Sequence, residues 1–381
     1  MADRSKSSSG RDVRLDMFRG LANWAIFVDH IPNNAVAWLT TRNYGFSDAA
    51  DLFVFISGYT ATFVYSRYMR ASGFLVSTSL IYGRVWQIYV AHVLLLVAYL
   101  AAIGFVAQSY GHSHLLDEFN VRHLLDDPIE TLKHGLLLEF KPLNLDVLPL
   151  YIVIMVAFPL ALWAMIRRPN VTLAASFALY VTARSLGWNL PSYPSGNWYF
   201  NPFAWQFLFV IGAWAASGGA DRLQPLLRSK AVIGIAGVYL LFSLLIAMAA
   251  RFPELANVLP VSLLSAFPND KTNLGPYRIL HFLALAVVVV HCVPKEWAGL
   301  QSPILRPAIV CGKRSLEVFC VGVFLSFAGH LLFESVSMSL AFQSLVSSGG
   351  IAIMTGVAYY RTWTVSLRSN SSSSSAVASA S

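Results

Sequence analysis

Arg19 and His30 are the first pair of residues whose types and spacing suggest chemistry. They lie eleven positions apart in RLDMFRGLANWAIFVDH, a largely apolar stretch that predicts a helix. At 100° and 1.5 Å per residue, this spacing places both side chains on one helix face, roughly 16 Å apart along its axis. An imidazole can act as a general base or a nucleophile, and a guanidinium binds phosphate or carboxylate groups. The pair therefore suggests that Arg19 binds an anionic donor substrate and that the reaction of this donor takes place at His30, further along the helix.

The composition predicts a membrane protein. Of the 381 residues, 56% are hydrophobic and only 12% are charged, whereas soluble domains carry about 25% charged residues. The net charge of +8 does not indicate nucleic-acid binding, because the basic residues cluster between apolar stretches, as in cytoplasmic loops. The three cysteines lie in or beside apolar segments without metal-ligand spacing, so we interpret them as buried hydrophobes.

The apolar segments predict an all-α, polytopic membrane protein with about ten transmembrane helices around a polar central cavity. We expect a cytoplasmic N-terminal segment (1–17), a single transmembrane domain (18–360) and a cytoplasmic, disordered tail (361–381). Most basic residues fall on one side, which predicts that both termini are cytoplasmic. If Arg19 lies at that surface, His30 lies near the middle of a bilayer about 30 Å thick. The ten predicted spans are 18–38, 47–66, 82–107, 145–166, 171–188, 203–219, 231–250, 275–293, 309–331 and 338–360.

Several ionisable residues fall within or at the edges of these spans. Each can be a satisfied polar group that joins two helices, but several on different helices favour a shared polar cavity. His30 is the best placed for catalysis, as a general base toward a sugar hydroxyl or as an acylated nucleophile. Asp146 is the candidate carboxylate to orient it, because Asp29 points about 100° away on a helix. The full set is Arg14, Asp16, Arg19, Asp29, His30, Asp48, Asp51, Arg84, His92, Asp146, His281, Glu317 and His330.

Three arginines at the predicted cytoplasmic side are candidate ligands for an anionic donor such as an acyl-coenzyme A. Arg19 and Arg84 lie further into their spans than Arg14, for which contact with lipid headgroups is the simpler interpretation.

Ser57-Gly58 is interpreted as a small-residue helix contact rather than a nucleophile turn.

Two segments on the predicted outer side carry further candidates. The segment 188–206 is rich in aromatic residues and is either an interfacial belt or a carbohydrate-binding platform. The segment 108–144 contains four histidines, but their irregular spacing favours a solvated loop on an amphipathic or re-entrant helix, so no metal is predicted. The candidate substrate-binding residues are Trp188, Trp198, Tyr199 and Trp205.

The first-helix motif resembles the signature of the integral-membrane acyltransferase type 3 superfamily, an Arg and a His separated by ten residues, here Arg19 and His30. More closely, the chain is similar to the OpgC family, which adds succinyl groups to osmoregulated periplasmic glucans. The superfamily often has two arginines three apart at the start of helix three, whereas here Gln87 follows Arg84, so the second phosphate ligand is missing unless Arg14 or Lys313 replaces it. The blocks behind the closer match are FRGLANWAIFVDHIPNN, SDAADLFVFISGYTA, YGRVWQIYVAH, LDVLPLYIV, FNPFAWQFLFVIGAW and CGKRSLEVFCVGVFLSF.

This resemblance implies a multi-pass protein of the bacterial inner membrane that uses acyl-coenzyme A, succinyl-coenzyme A by preference, as donor substrate and has no permanently bound cofactor. The acceptor is a periplasmic glucan, with His30 at the reaction and Arg19 near the donor. The predicted function is therefore a membrane O-acyltransferase. The alternatives are a transporter or exporter of an acyl or sugar substrate that uses the buried ionisable residues, although no internal repeat is visible, and a non-catalytic scaffold for glucan synthesis. The sequence predicts no oligomeric state.

Overall fold

The computed structural model describes residues 12–257, 260, 265–268 and 270–378. In these ranges the regular secondary structure is helical, and the only strand-like pairing is an isolated bridge between Pro191 and Asn197. The predicted all-α class is confirmed. Residues 1–11 of the predicted N-terminal segment lie outside the described ranges.

The described residues form fifteen α-helices, with a π-helical turn (Ala215–Gly219) between the eighth and ninth and short 3-10 helices at Ala35–Leu39, Thr41–Asn43 and Ala298–Gln301. The helices are α1 (Val13–Asp29), α2 (Ala49–Ser109), α3 (His114–Glu118), α4 (His123–Asp126), α5 (Pro128–Leu136), α6 (Val147–Arg167), α7 (Pro169–Leu186), α8 (Pro202–Trp214), α9 (Ala220–Leu227), α10 (Lys230–Ala249), α11 (Pro253–Ala256), α12 (Pro276–Cys292), α13 (Arg306–Lys313), α14 (Ser315–Ser335) and α15 (Leu340–Ala378).

Six helical stretches of the described chain are long and apolar enough to cross a membrane. The helices α1, α7 and α12 fall short of that criterion but overlap the first, fifth and eighth predicted spans. The helix α2 covers both the second and the third. The helices thus fit a polytopic membrane protein, while the number of ten crossings and the cytoplasmic termini remain predictions. The six stretches are Ala49–Ser109, Val147–Arg167, Pro202–Leu227, Lys230–Ala249, Ser315–Ser335 and Leu340–Leu367.

The chain reverses direction inside α2. Gly73 has φ 84° and ψ 179°, a conformation essentially restricted to glycine. Ser77 Oγ donates to the carbonyl oxygen of Tyr65 at 3.2 Å, although a straight helix would hold two residues twelve positions apart about 18 Å from each other. We call residues 49–72 the first arm of α2 and residues 74–109 its second arm. This one-residue turn replaces the longer loop that the sequence predicts between the second and third spans.

The first arm of α2 packs closely against α8 through two glycines. A Cβ atom at Gly58 would collide with the carbonyl oxygen of Phe209, and one at Gly212 would collide with that of Phe55. Small residues allow such close approach between membrane helices. The interpretation of Ser57-Gly58 as a helix contact is confirmed.

The helix α1 is enclosed by α13 and α14 on one side and by α2 on the other, so its carboxyl end lies inside the bundle. That end comes earlier than predicted, because the helix stops at Asp29 rather than running to residue 38. Pro32 cannot continue a helix, and Asn33 takes a left-handed φ of 58°. At the other end of the chain, the backbone of α15 stays helical to Ala378, beyond the span boundary at 360 and into the tail predicted to be disordered.

Candidate functional site

His30 caps the carboxyl end of α1 and is half-buried. Its Nδ1 atom is buried and has no hydrogen-bonding partner among the described residues. The backbone is held from across the bundle, because Asn144 Nδ2 donates to the carbonyl oxygen of His30 at 3.3 Å. A buried imidazole nitrogen without a partner is costly in a purely structural role. His30 is therefore a well-positioned ring with an unused nitrogen.

Charged groups from three segments surround this ring. Lys271, Arg42 and Asp48 are close enough to act on His30 electrostatically. Arg42 Nη1 also donates to the carbonyl oxygen of Asp29 at 2.7 Å, and the Asp29 carboxylate accepts a 2.7 Å bond from Thr40. The loop after α1 therefore folds back and brings both signs of charge to the end of that helix.

Asp48 and Asp51 anchor an ion-pair network at the start of α2. Lys271 Nζ lies 2.6 Å from Asp48. Arg278 lies 2.9 Å from Asp48 and 2.5 Å from Asp51, and its Nη1 donates to the carbonyl oxygen of Phe46 at 2.7 Å. Asp51 is fully buried and also closes a capping box with the backbone of Asp48. We call Asp48, Asp51, Lys271 and Arg278 the outer ion network.

The network contains two residues, Lys271 and Arg278, that the sequence did not single out. Both lie more than 200 positions from the aspartates they contact, so no local spacing reveals the pairing. The sequence did contain one signal for this network. Asp48 and Asp51 lie three positions apart at the start of the second predicted span, and Arg278 lies inside the eighth.

Asp146 does not contact His30. It occupies the N-cap position of α6, and no hydrogen bond joins the two side chains in the described chain. Its charged neighbours are Lys141 and Lys271. The predicted triad-like contact is therefore absent from this structure, and Asn144, two residues earlier, makes the contact with His30 instead.

Lys141 is a buried cation next to Asp146. Its ammonium lies 4.1 Å from the centre of the Trp198 ring and donates to the carbonyl oxygens of Leu138 and Glu139. Burial lowers the pKa of Lys141 to about 8, while the charges of Asp146 and Glu139 oppose that shift. Trp198 is thus a support for Lys141 rather than an open aromatic face.

The other predicted platform residues divide into buried and accessible rings. Trp205 is fully buried, and its Nε1 donates to the carbonyl oxygens of Lys271 and Thr272 at 3.0 and 3.2 Å. Trp188 and Tyr199 are about half exposed, at 48% and 49%. Only these last two present an accessible face for stacking in this structure.

The partners of Arg14 and Arg19, Asp12 and Thr60, line one cavity at the start of α1, whereas Arg84 bonds to neither of them. Arg14 pairs with Asp12 at 2.8 Å and donates to the carbonyl oxygen of Val293. Arg19 donates to Thr60 Oγ1 at 2.6 Å. Arg84, on the second arm of α2, contacts Gln87.

A predominantly apolar groove of about 540 Å³ runs between α1, the first arm of α2 and α12. Along α1 it extends from Arg14 to Val28, roughly 21 Å at 1.5 Å per residue. At its far end it is lined by Thr40 and Asp48, which bond to Asp29 and Lys271 respectively. A second cavity, of about 460 Å³, lies at the start of α1 and includes Thr60, the partner of Arg19. The groove therefore connects the level of Arg14 with the charged groups around His30.

Of the remaining ionisable residues predicted for a shared cavity, His281 adjoins the outer ion network next to Asp48 and Arg278, and the others lie elsewhere. His281 Nδ1 pairs with Ser47 Oγ at 2.6 Å, Glu317 pairs with Arg361, and His330 pairs with Glu118. His92 is fully buried, with neither ring nitrogen bonded in the described chain. The polar groups thus form several separate clusters rather than one central cavity.

A family model described as OpgC protein matches residues 11–366, most of the chain. No curated protein sequence and no solved structure matches the chain.

Proposed function

The chain belongs to the OpgC protein family, and from this premise we propose that it is a membrane O-acyltransferase that transfers succinyl from cytoplasmic succinyl-coenzyme A to hydroxyl groups of a periplasmic glucan. Family membership supports an acyltransferase-type enzyme with a role in glucan succinylation. The observation that carries the proposal is His30, whose buried ring nitrogen has no partner in the described chain and which, unlike the unbonded His92, lies within electrostatic range of charges of both signs. A structural histidine normally has that nitrogen paired.

The apolar groove is the proposed path of the donor's pantetheine arm. It begins beside Arg14 and ends at Thr40 and Asp48, next to the charged groups that surround His30. A long, mostly uncharged chain suits its apolar lining. Arg14 and Arg19 are the proposed phosphate ligands, and Arg14 would exchange its bond to Asp12 for one to the donor.

His30 is the proposed general base. One of its ring nitrogens takes the proton of a glucan hydroxyl as the hydroxyl oxygen attacks the thioester carbonyl carbon. The new C–O ester bond forms as the C–S bond breaks, and the imidazolium returns the proton to the departing thiolate. Such proton transfer contributes on the order of 10²–10⁴ in rate. In the variant mechanism the ring itself is acylated first and then hands the acyl group to the hydroxyl.

Two cations near His30 are proposed to receive the free carboxylate of the succinyl group. Lys271, which is paired with Asp48, acts electrostatically on His30. Arg42, in the loop after α1, acts on the same ring. A donor whose acyl group ends without a charge would offer Lys271 and Arg42 no ion-pair partner. The site therefore favours a dicarboxylic acyl group.

The proposed acceptor enters from the side of the aromatic segment. Trp188 and Tyr199 are its accessible rings, and aromatic faces can stack on the C–H faces of sugars. The backbone of Trp188 is fixed by a 2.7 Å bond from Asn201, so this face has a defined position.

The test is the mass and charge of periplasmic glucans from cells with wild-type protein, with His30→Ala, with His123→Ala, or with no protein. His123 is an exposed histidine of the outer segment and serves as the matched control. We expect succinyl-sized mass additions with wild type and His123→Ala, and a loss of at least about 100-fold in the substitution rate with His30→Ala.

Equal membrane levels of the variants are a required control. Full substitution with His30→Ala would exclude His30 as the base and move the chemistry to another residue. Unmodified glucan in all strains would contradict the proposed reaction itself.

A further inference from the structure

Four ionisable side chains meet where the segment after α2 touches the carboxyl end of α14. His114 and Glu118 lie four residues apart on α3, and His330 and Glu334 lie four residues apart on α14. Residues with this spacing lie on one face of a helix. Two such pairs, from segments more than 200 residues apart, face each other here.

The polar atoms of the cluster are close together. His330 Nε2 lies 3.1 Å from Glu118 Oε2 and 3.4 Å from Glu334 Oε1. His114 Nε2 lies 3.1 Å from Glu334 Oε2. Ligands held at about 2.0–2.2 Å around a tetrahedral Zn²⁺ are about 3.3–3.6 Å apart. The observed separations are therefore near the edges of such a tetrahedron without rearrangement of the backbone.

The cluster is partly enclosed. The side chain of His330 is only 5% exposed, whereas those of Glu118 and Glu334 are 31% and 28% exposed. The Phe119 ring packs 5.7 Å from that of His330 and 5.2 Å from that of Phe327, which gives the cluster an apolar wall. The imidazole at the inner end and the two carboxylates toward solvent are both ligand types that Zn²⁺ accepts.

We propose that Glu118, His330 and Glu334 bind a divalent transition-metal ion of the zinc class, with His114 beside the fourth position. Imidazole and carboxylate ligands suit Zn²⁺ and related first-row ions. The ion would balance the charges of the two carboxylates, which contact the imidazoles of His114 and His330. His112, which with His114 and Glu334 forms a second possible ligand group, lies next to the open side.

Such an ion would join the outer segment to the helix bundle. That segment runs on from α3 to Lys141 and Asn144, and Asn144 bonds to the backbone of His30. The sequence predicts no metal, because the ligands come from two distant pairs and the histidine spacing within 108–144 is irregular. The inference does not depend on the proposed acyl transfer.

The test is Zn²⁺ binding to the purified full-length protein in detergent after treatment with a chelator. We expect one Zn²⁺ per chain by mass spectrometry of the metal, and a visible absorption spectrum when Co²⁺ replaces it. Glu118→Gln, Glu334→Gln and His330→Gln should each weaken Zn²⁺ binding by at least about tenfold. Glu130→Gln and His123→Gln, in the same outer segment but outside the cluster, should bind as wild type does.

Two results would overturn the site. One is wild-type protein that binds less than about half a Zn²⁺ per chain at about 100 μM free Zn²⁺, because a site with a Kd of about 100 μM is half occupied at that concentration. The other is Zn²⁺ retained equally by Glu118→Gln and wild type, which would identify it as adventitious. His330 is buried, and its variant can fail to fold, so Glu118→Gln, which alters a partly exposed carboxylate on a short surface helix, decides the question.

Discussion

Removing Arg278 tests the outer ion network most directly. The guanidinium is 3% exposed and is the main partner of Asp51, which has no exposed surface. In Arg278→Met that carboxylate keeps the hydrogen bond from the backbone N–H of Asp48. Breaking a buried ion pair by removing one partner costs about 3–5 kcal/mol, because the other charge stays buried without compensation. We expect a loss of that size in the free energy of unfolding.

The double variant Arg278→Met/Asp51→Leu separates the cost of the stranded charge from that of lost packing. It removes both charges and gives up the capping bond to the backbone of Asp48, worth about 1 kcal/mol. We expect it to be more stable than Arg278→Met alone. The matched control is Arg361→Met, because Arg361 and Glu317 form a pair with side chains 42% and 34% exposed. Such a pair contributes about 0–1 kcal/mol.

The assay is unfolding of the purified protein in mixed micelles of increasing SDS fraction, followed by tryptophan fluorescence and circular dichroism. A loss for Arg278→Met no larger than that for Arg361→Met would refute the argument from burial. A double variant less stable than Arg278→Met would show that the uncompensated Asp51 charge is not the source of the loss.

Three further predictions concern the turn in α2, the buried lysine and the proposed metal. Gly73→Ala should lower the free energy of unfolding by about 1–3 kcal/mol, because alanine does not tolerate φ 84° with ψ 179°, whereas Gly83→Ala, in open space on the same helix, should raise it by about 0.5–1 kcal/mol; equal effects in thermal unfolding would contradict this. The pKa of Lys141 is about 8 in the folded protein against 10.5 when exposed. As the pH rises from 8 to 10.5, the free energy of unfolding of wild type should therefore increase by up to about 3 kcal/mol relative to that of Lys141→Met. A difference between the two proteins that does not change with pH would exclude the shift in pKa. Chelation of wild-type protein should lower its melting temperature, and Zn²⁺ at 100 times its Kd should restore about 2.7 kcal/mol, while the same Zn²⁺ concentration should restore at most about 1.4 kcal/mol in Glu118→Gln.

The fold was largely predictable because the length of apolar segments dominates membrane architecture. Each predicted span overlaps a helix of the structure, including the sixth, which is short as an α-helix and continues through a π-helical turn into α9. Local exceptions were harder to read. Pro32 and Asn33 both disfavour a helix, but the apolar residues that follow them led to the prediction of a span that continues to residue 38. In the structure α1 ends at Asp29. A single glycine, Gly73, reverses the chain where composition predicts only a loop.

The site was predicted in part. His30 and the arginines of α1 stood out because charge in an apolar helix is conspicuous. The partners did not, because Lys271 reaches Asp48 across 223 positions of the chain and Glu118 reaches His330 across 212. The bond to His30 comes from Asn144 rather than Asp146 and goes to the backbone carbonyl rather than the ring. Such pairings are properties of packing and are not encoded in any single window of sequence.

The turn at Gly73 also has a consequence for biogenesis. At 1.5 Å per residue the second arm of α2 is on the order of 54 Å long, well beyond the 30 Å of hydrocarbon, so one end must project. With no loop between the arms, we expect both to insert as a single helical hairpin, so that neither arm enters the bilayer stably without the other. Arg67 and Arg70 both lie on the first arm beside the tip, and their positive charge is part of the basis for the predicted cytoplasmic position of the tip. Damage to this turn would therefore be seen first as protein that is made but not integrated.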